Sequence, residues 1–186
     1  LGLLFEDKDD DNQAKKYFKK AIKVNPHNAL HHNALGLLLE EQEDHKGAAV
    51  HFRKAIKILP NDSKLHAHLG ISLMKIDRKN AAKSFEKCLE IDPNRLDVLS
   101  SLGCVLNEMS CYSDAKIKLV RALDLNPHYY DGHHNLAVNC SHLGDSLAAI
   151  SSLKTALKYA TPGDAPKSET ILGMELLRNL DFKNGW

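Results

Sequence analysis

The 186-residue chain is poor in several residue classes, and each shortage removes a class of protein. Cysteine is scarce: Cys88, Cys104, Cys111 and Cys140 form no CxxC pair and no Cys/His cluster at zinc-ligand spacing. Neither a disulfide framework nor a zinc module is expected, and the thiols read as reduced, in a cytoplasmic or nuclear protein. An excess of one charge is also missing. Lys and Arg total 25 against 24 for Asp and Glu, so the net charge of +1 gives no bulk argument for a nucleic acid or an anionic membrane as partner. No apolar run approaches the ~20 residues that cross a bilayer, and no signal-peptide pattern opens the chain. Its start at Leu1 rather than Met is expected for a piece of a longer protein.

Catalytic signatures are absent too. The sequence has no P-loop, GxSxG elbow, dinucleotide fingerprint or kinase set, so no enzyme activity and no cofactor are expected of it. An acidic run at Asp7, Asp9 and Asp11 has superficial calcium-loop spacing, but Asn12 stands where a Gly is needed and Phe18 where a bidentate Glu is needed. It reads as a solvated turn between helices. Eleven histidines invite a metal reading. Yet His31 with His32, and His133 with His134, are adjacent and point to different helix sides, and His66 with His68 also diverge. No metal site is expected.

What the chain does have is a beat. Pro26, Pro60, Pro93 and Pro127 follow one another at 34, 33 and 34 residues, and Gly2, Gly36, Gly70 and Gly103 at 34, 34 and 33. Ala14, Ala48, Ala81, Ala115 and Ala149 keep the same period, as do Ala21, Ala55, Cys88, Ala122 and Ala156. Phe18, Phe52, Phe85, Leu119 and Leu153 form a fifth series. Two residue types on one period already mark a repeat array.

Each unit reads as two short helices. Leu35, Leu38 and Leu39 recur at helical steps within residues 30–43, and Ala48, Phe52, Ala55, Ile56 and Leu59 do so in the following segment. Polar residues at 41–46 mark the turn between them. Each Pro follows a second helix, where its missing N–H stops further winding. Asn28 and Asp62–Ser63 then supply caps for the next helix. Small residues at Gly36, Ala48 and Ala55 permit close backbone approach, with Phe52 filling the wedge. His32, His66 and His133 share one slot and suggest helix packing with the ring N–H satisfied.

The 34-residue beat carrying Leu35-Gly36, Ala48, Phe52, Ala55 and Pro60 resembles the tetratricopeptide repeat. The resemblance covers residues 1–163 and implies an all-α fold, a right-handed α-solenoid of stacked antiparallel helix pairs. The expected units are 1–28 (truncated), 29–62, 63–95, 96–129 and 130–163. Unit three is one residue short, with the deletion expected in the turn at 76–78. Residues 164–186 are expected to form a capping helix and tail, with Ser168 as cap and Ile171, Met174, Leu177 and Leu180 as its apolar stripe. The other reading is the first helix of a sixth repeat. Trp186 would anchor a partner or pack onto that helix.

By the same resemblance, the first helix of each unit lines a concave groove that binds a partner. The lining residues would be Leu3, then Asn33, Leu37 and Glu40, then Lys64, Ala67, Ile71 and Met74. Ser100, Cys104 and Asn107 follow, and then Asp131, His134 and Val138. Members that grip an acidic chaperone tail use Lys, Arg and Asn in slots held here by Asn33, Leu37, Ala67, Ile71, Ser100 and Cys104, which lack the cationic pair. The Asn ladder of glycosyltransferase arrays is matched only by Asn135. What remains is an apolar spine, Leu3, Leu37, Ile71, Cys104 and Val138, suited to an extended peptide or an amphipathic helix. Some of these residues would instead pack against neighbouring first helices. The implied function is a non-catalytic protein-interaction scaffold. The alternatives are the recruiting region of a larger enzyme and a permanent subunit of an assembly. The partner is a protein; neither nucleic acid nor membrane insertion is expected, and a homo-oligomer is not specifically predicted.

Overall fold

The computed structural model describes residues 8–161 together with 168, 169, 171, 172, 175 and 176. Its helices are α1 (Lys8–Val24), α2 (Ala29–Glu41), α3 (His45–Ile58), α4 (Ser63–Met74), α5 (Arg78–Ile91), α6 (Leu96–Glu108), α7 (Tyr112–Leu125), α8 (Tyr130–His142) and α9 (Ser146–Tyr159). They fall into two compact units, Leu1–Pro93 and Asn94–Trp186. In the first unit α2 pairs with α3 and α4 with α5; in the second α6 pairs with α7 and α8 with α9. The all-α fold of antiparallel helix pairs expected from the periodicity is what the chain adopts. No described helix is long and apolar enough to cross a membrane.

Caps appear where the sequence places them. Asn28 and Asp62 accept hydrogen bonds from the N–H groups of Leu30 and Lys64, both at 2.9 Å. Asp44, Asp77 and Asp145 accept from Gly47, Asn80 and Ala148 at the head of each following helix. Each bond satisfies an N–H that has no partner within its helix.

The turns between paired helices share one construction with one exception. At the end of α2, Glu43 N–H bonds Glu40 O and Asp44 N–H bonds Leu39 O, with Glu43 at φ 58°. The same pair of bonds closes α6 around Ser110 (φ 60°) and α8 around Gly144 (φ 77°). In α4 the missing residue is this left-handed one. Asp77 N–H reaches Leu73 O only four residues back, and α4 has 12 residues where α2, α6 and α8 have 13. The deletion expected at 76–78 thus shortens the helix end, leaving a three-residue turn.

The core is built from the repeating small and large residues. A Cβ on Gly36 would stand 2.6 Å from Phe52 Cε1, and one on Gly70 would stand 2.4 Å from Phe85 Cε1. Both rings are fully buried. In the second unit a Cβ on Gly103 would meet Leu119 at 2.6 Å. The glycines are therefore the space into which the next helix inserts its ring or branched side chain.

Two expectations are corrected here. From Lys8 onward the acidic run is helical, within α1, and not a turn between helices; Asp7 lies outside the described residues. Ser168 is helical and fully buried, and bonds across to α8 instead of capping. Leu1, Gly2, Leu3, Met174, Leu177, Leu180 and Trp186 lie outside the described residues.

Candidate functional site

The first helices of the first unit are α2 and α4, and their side chains divide by what faces them. Leu30, Leu37 and Ile71 project outward, with exposures of 71%, 38% and 43%. Lys64 is exposed and Met74 half-buried beside them. Asn33 and Glu40 are instead bridges to the neighbouring helix. His68 Nδ1–H donates to Asn33 Oδ1 at 3.0 Å, and the Ser72 hydroxyl donates to Glu40 Oε2 at 2.5 Å. Glu40 Oε1 also lies 2.8 Å from His45 Nδ1. Ala67 is buried against the helix pair.

The second unit repeats both bridges with different chemistry. Asn135 Nδ2 donates to the Ser100 hydroxyl at 2.9 Å, and Asn139 Nδ2 donates to Asn107 Oδ1 at 2.7 Å. Asn107 in turn donates to the Asn135 carbonyl at 3.3 Å. Ser100 and Asn107 are buried and hold α6 to α8. Cys104 and Val138 are half-buried and Asp131 is exposed. His134 lies 2.8 Å from the Ser168 hydroxyl, Tyr130 shares the same hydroxyl at 2.9 Å, and Ser141 bonds Glu175. The chain's own Ser168 and Glu175 therefore lie against α8.

Of the residues expected to line a groove, the apolar positions Leu37 and Ile71 face solvent, while Asn33, Glu40, Ala67, Ser100 and Asn107 serve inter-helix contact. Sequence reasoning does not single out Ser72 or Asn139, and it weighs His68 only as a metal ligand. Their signal is spacing: each first-helix polar slot pairs with a polar residue 32 or 35 positions on.

The shared histidine slot has a clear role. The ring Nε2 of His32, His66 and His133 lies 3.1, 2.9 and 2.9 Å from the carbonyl oxygen of Pro26, Pro60 and Pro127. A carbonyl only accepts, so each ring donates from Nε2, and in the neutral His32 ring Nδ1 is left as an acceptor. His32 Nδ1 then accepts from His51 Nδ1–H at 3.1 Å, with the rings stacked at 5.4 Å. Burial first, then the charge that His32 and the nearby Lys54 and Lys19 place against it, pushes the His51 ring down to about 4. Burial likewise lowers His32. In the second unit, burial and the adjacent Asp131 push the Tyr129 phenol up to about 12.

Among the described residues no three His, Cys, Asp or Glu converge as a metal site would need. All four cysteines are unbridged, and burial raises the Cys140 thiol.

Two models of the tetratricopeptide repeat match the sequence, over residues 1–63 and 66–95. No curated protein matches the chain in sequence. In fold it is similar to MamA (TM-score 0.77, 18% identity, 84% of this chain and 96% of that one). MamA 41-end from Desulfovibrio magneticus RS-1 is also similar (TM-score 0.76, 20% identity, 81% and 85%). So is YrrB, described as a TPR protein with an unusual peptide-binding site (TM-score 0.75, 19% identity, 87% and 83%). At these identities the likeness is one of fold.

Proposed function

Since the chain belongs to the tetratricopeptide repeat family, whose members mediate protein–protein interactions, we propose that it is a non-catalytic scaffold that holds a peptide or helix of a partner protein. The binding face is the outer side of α2 and α4. The observation that carries this reading is the exposure of Leu30, Leu37 and Ile71 on first helices whose polar neighbours are already engaged. An aliphatic strip between satisfied polar bridges gains from apolar burial when a partner covers it. It also offers a repeat along the helix that an amphipathic segment can match. YrrB is a precedent for peptide binding on this fold. The first unit is favoured because in α8 the side chains of Tyr130, His134 and Ser141 are already engaged by Ser168 and Glu175.

The test is affinity capture with mass spectrometry, comparing the wild-type chain with Leu37→Glu/Ile71→Glu. Both side chains are exposed, so the variant should keep its circular dichroism and melting curve. Loss of specific partners supports the proposal; an unchanged partner set from the folded double variant overturns it.

A further inference from the structure

The near-zero net charge conceals an uneven distribution. Helix α3 carries Lys46, Arg53, Lys54 and Lys57 and no acidic residue. Helix α1 carries Lys15, Lys16, Lys19, Lys20 and Lys23 and no acidic residue after Asp11. A cleft of about 440 Å³ opens between α1 and α3, lined by Ile22 of α1, Pro26 and His27 of the following turn, His32 of α2, and Lys54, Lys57 and Ile58 of α3. Lys19 stands near the same place, close enough to act on the His51 ring together with Lys54. Among the described residues no carboxylate pairs with Lys19, Lys54 or Lys57. Asp44, which also faces His51, is engaged in capping Gly47.

Helix chemistry accounts for part of this charge. Lys23 and Lys57 lie in last turns, where cations suit the carbonyl end of the dipole. Lys19 and Lys54 lie a turn earlier, outside that effect; Lys54 lines the cleft, and Lys19 is near enough to His51 to act on that ring with Lys54.

We propose that the cleft between α1 and α3 is a docking site for an acidic peptide segment that inserts an aliphatic side chain between Ile22 and Ile58 and sets its carboxylates against Lys19, Lys54 and Lys57. Its aliphatic walls and cations come from the second helices α1 and α3, with His32 of α2 also lining it, and it shares no residue with the strip of Leu30, Leu37 and Ile71. Its chemistry selects a peptide over other polyanions. No Phe, Tyr or Trp lines the cleft as a platform on which bases could stack, and its cations are Lys, without the planar fork that Arg offers phosphates. Its half-buried aliphatic walls lie in a concavity that a flat bilayer surface would not reach. Unpaired cations around an apolar recess match carboxylates flanking an aliphatic residue.

A short fluorescein-labelled peptide alternating Asp and Glu around one central Leu is the probe, titrated into the full chain and followed by anisotropy. Lys54→Glu/Lys57→Glu should weaken binding about tenfold or more, Lys54→Gln/Lys57→Gln should weaken it less, and Leu37→Glu/Ile71→Glu should leave it unchanged. Bound peptide should also raise the titration midpoint of the His51 ring resonances, because carboxylates offset the field of Lys19 and Lys54. Absence of binding, equal binding by the folded Lys54→Glu/Lys57→Glu variant, or equal loss in Leu37→Glu/Ile71→Glu overturns the proposal. So does tighter binding of oligo-dT or phosphatidylserine vesicles that is lost with the same two lysines. None of these results depends on the capture experiment at Leu37 and Ile71.

Discussion

His66 Nε2–H donates to the carbonyl of Pro60 across 2.9 Å, six residues back in the chain. The proline has just ended the trajectory of α3, and the histidine sits in the first turns of α4. One bond therefore fixes the angle at which the chain leaves one helix pair and enters the next. His32 and His133 make the same bond, whereas Leu99 fills that slot in α6 with a buried apolar side chain.

His66→Ala should accordingly destabilise the chain by about 1–3 kcal/mol, through the lost hydrogen bond and the space left behind. His66→Leu should recover part of the loss, because Leu99 shows that a branched apolar side chain fits this slot. Urea unfolding of the three proteins gives the comparison. Equal midpoints for wild type and His66→Ala would show that the bond fixes nothing.

The His32–His51 pair makes stability depend on pH in a definite direction. His51 titrates at about 4 when folded against 6.5 ordinarily. Below pH 6.5 the unfolded chain binds the proton more readily, so stability is full above that value and falls as pH drops toward about 4. His32 is lowered too and adds in the same sense. The melting temperature of the wild type should fall more steeply between about pH 7 and pH 4.5 than that of His51→Gln. Parallel curves for the two proteins would remove the pair from the acid response.

The turn after α6 holds Ser110 at φ 60°, a conformation costly for a residue with a Cβ. Its counterpart after α8 is Gly144, at φ 77° with open space around it. Ser110→Gly should stabilise the chain by about 0.5–1 kcal/mol, and Glu43→Gly likewise. Gly144→Ala should cost a similar amount. Thermal melts of the three variants test the signs, and a destabilised Ser110→Gly would contradict the geometry.

The helix pairs were legible because period, proline and glycine are local signals: Asn28 and Asp62 cap where the spacing puts them, and Gly36 meets Phe52 as the series implies. The face toward a partner was less legible. Asn33 and Leu37 are one helical turn apart, and nothing in that spacing says which of them meets His68 of the adjacent helix. That depends on the stacking offset between first helices, a tertiary quantity. The left-handed turn residues hid for a related reason, since Glu43 and Ser110 take that conformation without the glycine that would announce it. Ser168 looked like a cap because its partners, Tyr130 and His134, lie far back in the chain.

Gly70 and Phe85 give the sharpest test of the core. A Cβ at Gly70 would come within 2.4–2.9 Å of three atoms of the ring, and Phe85 is 0% exposed, so the ring has no solvent into which to retreat. Gly70→Ala should therefore cost about 1–3 kcal/mol by overpacking. Phe85→Ala should cost about 3–5 kcal/mol by opening a cavity. The second unit shows the compatible combination, since Ala137 and Leu153 occupy the same two slots, both fully buried. Gly70→Ala/Phe85→Leu should then lose less stability than the sum of its single changes, a favourable coupling expected of residues in direct contact. A double-mutant cycle by chemical denaturation measures it. Strict additivity would mean that the glycine is not shaped by the ring, and that the shared period of the two series reflects backbone geometry alone.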